Sequence, residues 1–383
     1  MNAPAPITIV GAGLAGFGVA RELRKLDREL PIRIVTADSG AFYSKPNLSN
    51  ALGWKKLPAQ LVAAQRETIA AQLGVEILDR VRVSAIDPGE RLLVTGDGRF
   101  EYGKLVLAIG AQPIRLPIQG SGAPEILSVN HLDDYAKFRA QLEGRRRVAI
   151  LGAGLIGCEF ANDLAGAGFE VDVFDVAPQA LGRLLPAATA AFFGGGLAAA
   201  GVRFHFGTSI GRVDTEGAAL SLVDLEGRLY EADLVLSAVG LRPETALARA
   251  AGLQVNRGVV VDASLQSASP DVFAVGDCAE VRGLVLPFVL PIMQQSRALA
   301  KTLAGTETPV AYPAMPVVVK TPACPAVVCP PPAGAEGNWR EDATGTGARA
   351  IFEDAAGKAL GFALIGSAVS EKQALAQTMP AWL

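Results

Sequence analysis

Ile7-Thr8-Ile9-Val10-Gly11-Ala12-Gly13-Leu14-Ala15-Gly16 is the stretch that decides the fold. Its β-branched run reads as a buried strand. The three glycines that follow are spaced GxGxxG, and Phe17 to Leu26 continues as a helix-like stretch. In such a turn the first glycine reverses the chain. The second lets backbone N–H groups approach a pyrophosphate, and the third lets helix pack on strand. The pattern recurs mid-chain. Val148-Ala149-Ile150-Leu151 runs into Gly152-Ala153-Gly154-Leu155-Ile156-Gly157, and Cys158 to Ala165 opens the next helix. One such motif is weak; two, each between a strand and a helix, predict two dinucleotide sites. The first is assigned Val10, Gly11, Ala12, Gly13, Leu14, Ala15 and Gly16. The second is assigned Gly152, Gly154, Leu155, Ile156 and Gly157.

Each motif is followed by the acid that a ribose needs. Pro31 to Ala37 reads as a second strand ending at Asp38, and Glu170 to Phe174 as one ending at Asp175. A carboxylate at that strand tip accepts hydrogen bonds from ribose hydroxyls. Asp175 would repel a 2′-phosphate, and no Arg follows it until Arg183, so NADH rather than NADPH is expected. The plainer alternative is a pair of ordinary turn aspartates at strand ends.

A third segment shows that the second motif is inserted into the first domain. Asp271 to Glu280 reads as a strand ending in a glycine turn that presents Asp277 before another helix. An acid there suits the hydroxyls of a ribityl chain, which a flavin has and a nicotinamide dinucleotide lacks. Residues 1–111 and 244–306 are therefore read as one split FAD domain, and 112–243 as the inserted NADH domain. Leu105 to Gly110, before Pro113, and Leu234 to Gly240, before Pro243, are matching buried-strand runs closed by Gly then Pro. Gly110 and Gly240 are counted among the cofactor-binding positions. Residues 307–383 form a smaller module, with strands expected at Pro316 to Val319, Ala348 to Phe352 and Leu360 to Ile365, and a helix at Ser370 to Thr378. The fold class is α/β: two Rossmann-like domains, the FAD domain split by the NADH domain, plus a small α+β C-terminal module.

Bulk properties exclude several classes. The chain has 383 residues, enough for two or three domains. A net charge of −3 gives no broad basic surface for nucleic acid. Apolar stretches such as Leu284 to Met293 are short and broken by Pro287 and Pro291, so no membrane span is expected. Met1-Asn2-Ala3-Pro4-Ala5-Pro6 has no charged targeting region. Four cysteines make no disulfide framework, and a reducing cytoplasm is expected. Cys324 and Cys329 are spaced like a dithiol, but read first as two small apolar residues on a strand. With no nearby His they cannot close a zinc site, and no metal is expected. Cys158 and Cys278 sit beside cofactor turns, where small buried residues belong.

The two motifs and the late Gly276-Asp277 turn resemble the two-dinucleotide-binding flavoprotein reductases. Phe42-Tyr43-Ser44-Lys45-Pro46-Asn47-Leu48-Ser49 is similar to the aromatic-x-(Arg/Lys)-Pro-x-Leu-Ser segment of the ferredoxin- and rubredoxin-reducing members. Gly152 to Leu164 and Val319-Lys320-Thr321-Pro322-Ala323-Cys324-Pro325 favour the rubredoxin-reducing branch. The resemblance covers essentially the whole chain. It implies bound FAD, NADH as substrate, and rubredoxin, a small acidic one-electron carrier, as acceptor. It further implies supply of a bacterial alkane hydroxylase. A monomer is expected, since partner docking needs an exposed C-terminal module.

The same resemblance implies roles for single residues. Disulfide-reducing cousins carry redox cysteines where Ala37 to Trp54 has none, and this chain's only histidines are His131 and His205. Electrons should therefore leave the flavin directly for an external carrier. Hydride transfer needs proximity and orientation more than acid–base groups. The expected orienting residues are Lys45, beside Pro46, and Glu159, in the first turn of the NADH-domain helix, joined as an ion pair under the flavin. Lys45 would place positive charge beside the ring and favour its reduced form. The alternative is a Glu at a helix N-terminus and a solvated Lys. By resemblance, Lys320 reaches the flavin edge, Val289 packs against the flavin where Leu286 to Leu290 starts a helix, and the backbone of Val83 contacts adenine.

Arg21, Arg24, Lys25 and Arg28 share helical spacing, and Arg145-Arg146-Arg147 is a basic run. These are read either as solvated faces or as basic faces that steer an acidic carrier. Rival readings are a ferredoxin reductase of an oxygenase system, the reductase of a flavorubredoxin nitric oxide reductase, an NADH-switched binding flavoprotein like apoptosis-inducing factor, and a peroxide-forming NADH oxidase.

Overall fold

Apolar runs with no polar alternation must be buried on both faces, and both glycine-turn strands become interior strands of parallel sheets. The computed structural model describes residues 5–383; the reading of Met1 to Pro4 lies outside the described residues. The first part of the chain supplies β1 (Ile7–Val10), α1 (Leu14–Leu26), β2 (Ile32–Val35), β3 (Glu76–Leu78), β4 (Val83–Asp87) and β5 (Lys104–Leu107). Then come α2 (Leu132–Gln141), β6 (Arg147–Leu151), α3 (Leu155–Gly166), β7 (Glu170–Asp175), α4 (Ala187–Ala199), β8 (Val202–Phe206) and β9 (Leu234–Ser237). β10 (Val272–Ala274), β11 (Ala279–Val281) and α5 (Val289–Leu303) follow. The last module holds β12 (Val317–Val319), β13 (Ala326–Cys329), β14 (Asn338–Thr344), β15 (Gly347–Glu353), β16 (Ala359–Gly366) and α6 (Lys372–Thr378).

The first sheet is parallel, in the order β10-β5-β1-β2-β3. Its outermost strand, β10, comes from beyond the whole second sheet, whose parallel order is β8-β7-β6-β9. The chain leaves and re-enters the first unit through an antiparallel ribbon that pairs Ala111 with Pro243 and Pro113 with Leu241. The Asp277 turn leads into strand β11 rather than directly into a helix, which corrects that part of the sequence reading; α5 starts only at Val289.

The glycine requirement is steric. A Cβ on Gly11, held at φ +111, would lie 2.3 Å from the Ala108 carbonyl oxygen, and one on Gly16 would lie 2.0 Å from that of Gly11. Gly152 and Gly157 repeat this geometry at the second turn, with 2.7 and 1.9 Å. The middle glycines differ: a Cβ on Gly13 or Gly154 meets nothing within 4 Å. Both open into free space, as a backbone that approaches a ligand must.

The last module is an antiparallel sheet in the order β12-β13-β16-β15-β14. It rests on α4 of the second unit. There the Glu341 carboxylate accepts hydrogen bonds from the backbone N–H groups of Ala188 (3.2 Å) and Thr189 (2.6 Å), satisfying donors at the start of α4. The expected strands β12, β15 and β16 are present, and the last helix begins two residues later than expected, after a 3-10 turn. Cys324 lies in the turn before β13 rather than on the strand with Cys329; both are buried, and all four cysteines are free.

Candidate active site

A cleft of about 1020 Å³ lies where the three units meet. At its floor α1 begins after Gly13 with no side-chain cap, so its first N–H groups are left for an anion. Asp38 stands at the rim. Its Oδ1 accepts from the Thr36 hydroxyl at 2.9 Å and the Gly40 N–H at 2.8 Å, which fixes the carboxylate at the strand tip. Asp277 sits on a 3-10 turn tied down from behind. Gly276 N–H donates to Gln295 Oε1 at 2.6 Å, and Gln295 Nε2 donates to the Tyr312 hydroxyl at 2.7 Å. Burial pushes the Asp277 carboxyl above its usual range, and the Lys45 charge opposes that shift. Burial likewise lowers Lys45, against the pull of Asp277 and Asp134.

These residues fit FAD. The uncapped helix end and open Gly13 suit a pyrophosphate, Asp38 a ribose, and Asp277 a ribityl chain. Apolar side chains including Leu48, Val289 and Ile292 line the space where a ring system would lie. Pro46 and Gly110 also line the cleft, as do Ala12, Leu14 and Ala15. Val10, Gly11 and Gly16 lie behind it as structural members, and Val83, the first residue of β4, is outside it.

The second fingerprint opens toward the same space. α3 starts after Gly154, again with no side-chain cap, and Leu155, Ile156 and Glu159 line the cleft. Asp175 Oδ2 accepts from Ala153 N–H at 2.5 Å and Oδ1 from Ala177 N–H at 2.8 Å, so the acid is locked against the glycine turn. Gly152, Gly154, Gly157, Asp175 and Gly240 lie outside the cleft itself, where the far end of a dinucleotide would run.

The expected Lys45–Glu159 ion pair does not form. Both residues line the cleft, but Glu159 is paired with Lys320 instead. Its Oε1 accepts from the Lys320 backbone N–H at 2.9 Å, and its Oε2 takes the Lys320 ammonium and, at 2.5 Å, the Ser49 hydroxyl. Lys320 also donates to Ser49 Oγ at 3.0 Å, and its carbonyl accepts from Asn50 Nδ2 at 2.7 Å. Lys320 reaches this buried carboxylate from the third module and takes the place expected for Lys45. Lys45 is left facing Asp277.

Sequence reasoning missed Tyr43, Ser49 and Asn130 in the cleft wall. The Tyr43 hydroxyl accepts from Leu132 N–H at 3.1 Å, and burial pushes the phenol up to about 12. It also missed Asn162 and Asp163, buried on α3 behind the wall. Their signal was available: Glu159, Asn162 and Asp163 are polar at i, i+3 and i+4 on an otherwise apolar helix. Among the described residues no group of three or more His, Cys, Asp and Glu is placed to hold a metal, and no helix is long and apolar enough to cross a membrane.

Comparison with known proteins adds further findings. Residues 5–302 match the pyridine nucleotide-disulphide oxidoreductase family, and residues 309–379 match the rubredoxin binding C-terminal domain. A rubredoxin-NAD(+) reductase of Alcanivorax borkumensis is 48% identical over 98% of this chain and 99% of its own. A nitric oxide reductase flavorubredoxin-NAD(+) reductase of Aeromonas hydrophila is 40% identical over 98% and 96%. Among solved structures, a ferredoxin reductase from Rhodopseudomonas palustris superposes with a TM-score of 0.89 at 27% identity, covering 98% of this chain and 95% of that one.

Proposed function

Because this chain belongs to the pyridine nucleotide-disulphide oxidoreductase family and carries a rubredoxin binding C-terminal domain, we propose that it carries electrons from NADH through FAD to rubredoxin. The observation that carries the reading is the convergence of two dinucleotide turns on one cleft whose third wall is that C-terminal domain. FAD, when bound, supplies the step from a two-electron donor to a one-electron acceptor.

The chain's own residues do the rest. Asp38 and Asp277 hold the flavin cofactor's ribose and ribityl hydroxyls, and the free N–H groups after Gly13 hold its pyrophosphate. Asp175 holds the NADH ribose and disfavours a 2′-phosphate. Glu159, tethered by Lys320 and Ser49, forms the wall against which the nicotinamide is oriented. Lys45, held in a desolvated place beside Asp277, supplies positive charge near the ring. Apolar walls exclude water from the transfer. We keep the domain boundaries at 111, 243 and 306, the monomeric state and the cytoplasmic setting as parts of this reading; four free, buried cysteines suit a reducing compartment.

We place an alkane hydroxylase downstream of rubredoxin, on the resemblance of the Gly152 to Leu164 and Val319 to Pro325 segments. The second reading, a reductase for flavorubredoxin, is favoured by the Aeromonas hydrophila relative. The test is steady-state NADH oxidation by FAD-loaded protein with rubredoxin, flavorubredoxin or ferredoxin, against an oxygen-only control. Saturable turnover with rubredoxin well above the others is expected. Preference for flavorubredoxin moves the protein to the second reading. Activity with no carrier, despite bleaching of the flavin by NADH, overturns the carrier assignment.

A further inference from the structure

α3 carries a second set of polar side chains behind the cleft wall. Asp163 Oδ2 accepts from Leu52 N–H at 3.0 Å and Oδ1 from Gly53 N–H at 2.7 Å. Asn162 Oδ1 accepts from Ala323 N–H at 3.1 Å. The two side chains are 5% and 9% exposed. Neither lines the cleft, and both side chains bond to loops outside α3 rather than to the helix itself.

What they hold is informative. Leu52 and Gly53 end a loop whose 3-10 turn, Lys45 to Asn50, brings Lys45, Pro46 and Ser49 into the cleft. That loop is internally rigid: Trp54 N–H bonds to Asn50 O at 3.3 Å and Lys56 N–H to Ala51 O at 2.9 Å. Ala323 belongs to a tight turn after Lys320, closed by Cys324 N–H to Thr321 O at 3.0 Å and Thr321 Oγ1 to Cys324 O at 2.7 Å. One helix therefore grips the flavin-side loop through Asp163 and the Lys320 turn through Asn162. Glu159, one turn earlier on the same face, meets the functional side chains of both. Gly53 matches this grip: a Cβ there would lie 2.7 Å from Asp163 Oδ1.

We infer that Asp163 and Asn162 are positioning residues for hydride transfer, keying the Lys45–Ser49 loop and the Lys320 turn to the NADH-domain helix so that donor and acceptor walls keep one geometry. This rests on the reading of the cleft as the site where NADH reduces the flavin. The contacts of Asp175 and Gly154 lie outside the keyed loops, so NADH affinity should be largely insensitive to the key while the transfer geometry depends on it. Small misplacements of reacting groups are costly because orientation supplies much of the rate.

The test is stopped-flow reduction of the FAD-loaded protein by NADH, for wild type, Asp163→Ala, Asp163→Asn and Asn162→Ala. Asp163→Ala is expected to lower the limiting reduction rate by about tenfold, with the NADH dissociation constant changed less than about twofold, and to alter the visible circular dichroism of the flavin. Asp163→Asn, which keeps one acceptor oxygen, should recover most of that rate. Asn162→Ala should show a smaller loss of the same kind, and decides the matter alone if Asp163→Ala does not fold. Unchanged reduction rates beside a lowered melting temperature would make the two residues struts for stability and overturn the inference. A wild-type flavin that NADH leaves oxidised overturns the reading and the inference together; a wild type that bleaches beside variants that bleach equally fast overturns the inference alone.

Discussion

Glu159 and Lys320, 161 positions apart, meet twice: the Glu159 carboxylate accepts both the backbone N–H and the ammonium of Lys320. The side chains are 9% and 29% exposed, so the pair is largely withdrawn from water. Removing the cation leaves a buried anion, whereas neutralising the anion leaves a lysine that can turn outward. Lys320→Met should therefore cost about 2–4 kcal/mol of stability and Glu159→Gln about 1 kcal/mol. Thermal denaturation of the FAD-loaded variants checks the order; equal losses, or a reversed order, would show that the ammonium is not what stabilises the carboxylate.

Coenzyme choice should follow Asp175. Its neighbour Val176 is 72% exposed and points no cation at the site. Asp175→Ala combined with Val176→Arg should raise the ratio of kcat/KM for NADPH over NADH by about a hundredfold, by removing a like charge and adding an opposite one. Steady-state kinetics with both coenzymes measures it.

Asp277→Ala should weaken FAD binding. A charged partner lost from a desolvated hydrogen bond is worth about 1.5–3 kcal/mol, which is roughly ten- to a hundredfold in dissociation constant. Titration of apoprotein with FAD, followed by flavin fluorescence, gives the number. Asp38→Ala should weaken it less, since Asp38 stands at the rim.

Asp163 gives a pH dependence of stability. Burial pushes its carboxyl up to about 6, while the Leu52 and Gly53 N–H groups and the charges of Arg139 and Lys320 pull it down; the phenol of Tyr135 faces it from α2. A folded pKa above the unfolded one means that the folded state holds its proton longer. The stabilisation is full below the unfolded pKa near 4 and is lost as pH rises through 6. Relative to Asp163→Asn, wild type should lose about 2 kcal/mol between pH 4 and pH 7 and then level off. Urea denaturation at several pH values tests the sign, and a constant difference would refute it.

The parts of this fold that could be read from sequence are those where one residue type is compelled locally. Gly11, Gly16, Gly152 and Gly157 each leave no room for a Cβ, so their spacing carries the architecture on its face. The partner of Glu159 could not be read that way. Lys45 is the lysine of the flavin-side motif, but the carboxylate is reached by Lys320 from the C-terminal module, and only the docking of the Lys320 turn on α3 decides between them. β14 was missed because Asn338 to Thr344 is a polar, mostly exposed edge strand without the apolar alternation that marks a half-buried one. Asp163 was legible in principle, as a charge on the apolar face of α3. Its partners are backbone amides, which leave no trace in side-chain patterns.

The placement of β10 imposes an order of events during synthesis. The four strands of the second sheet all lie between Arg147 and Ser237, so that sheet can close while the rest of the chain is still being made. The first sheet cannot. Until Val272 to Ala274 leaves the ribosome, the outer edge of β5, Leu105-Val106-Leu107, has no partner and offers bare amide and carbonyl groups on an apolar strand. For the time taken to translate more than 160 residues, the nascent chain carries an open edge that invites a neighbouring polypeptide. A nascent chain stopped just short of β10 should therefore bind holdase chaperones that release it once the strand is added.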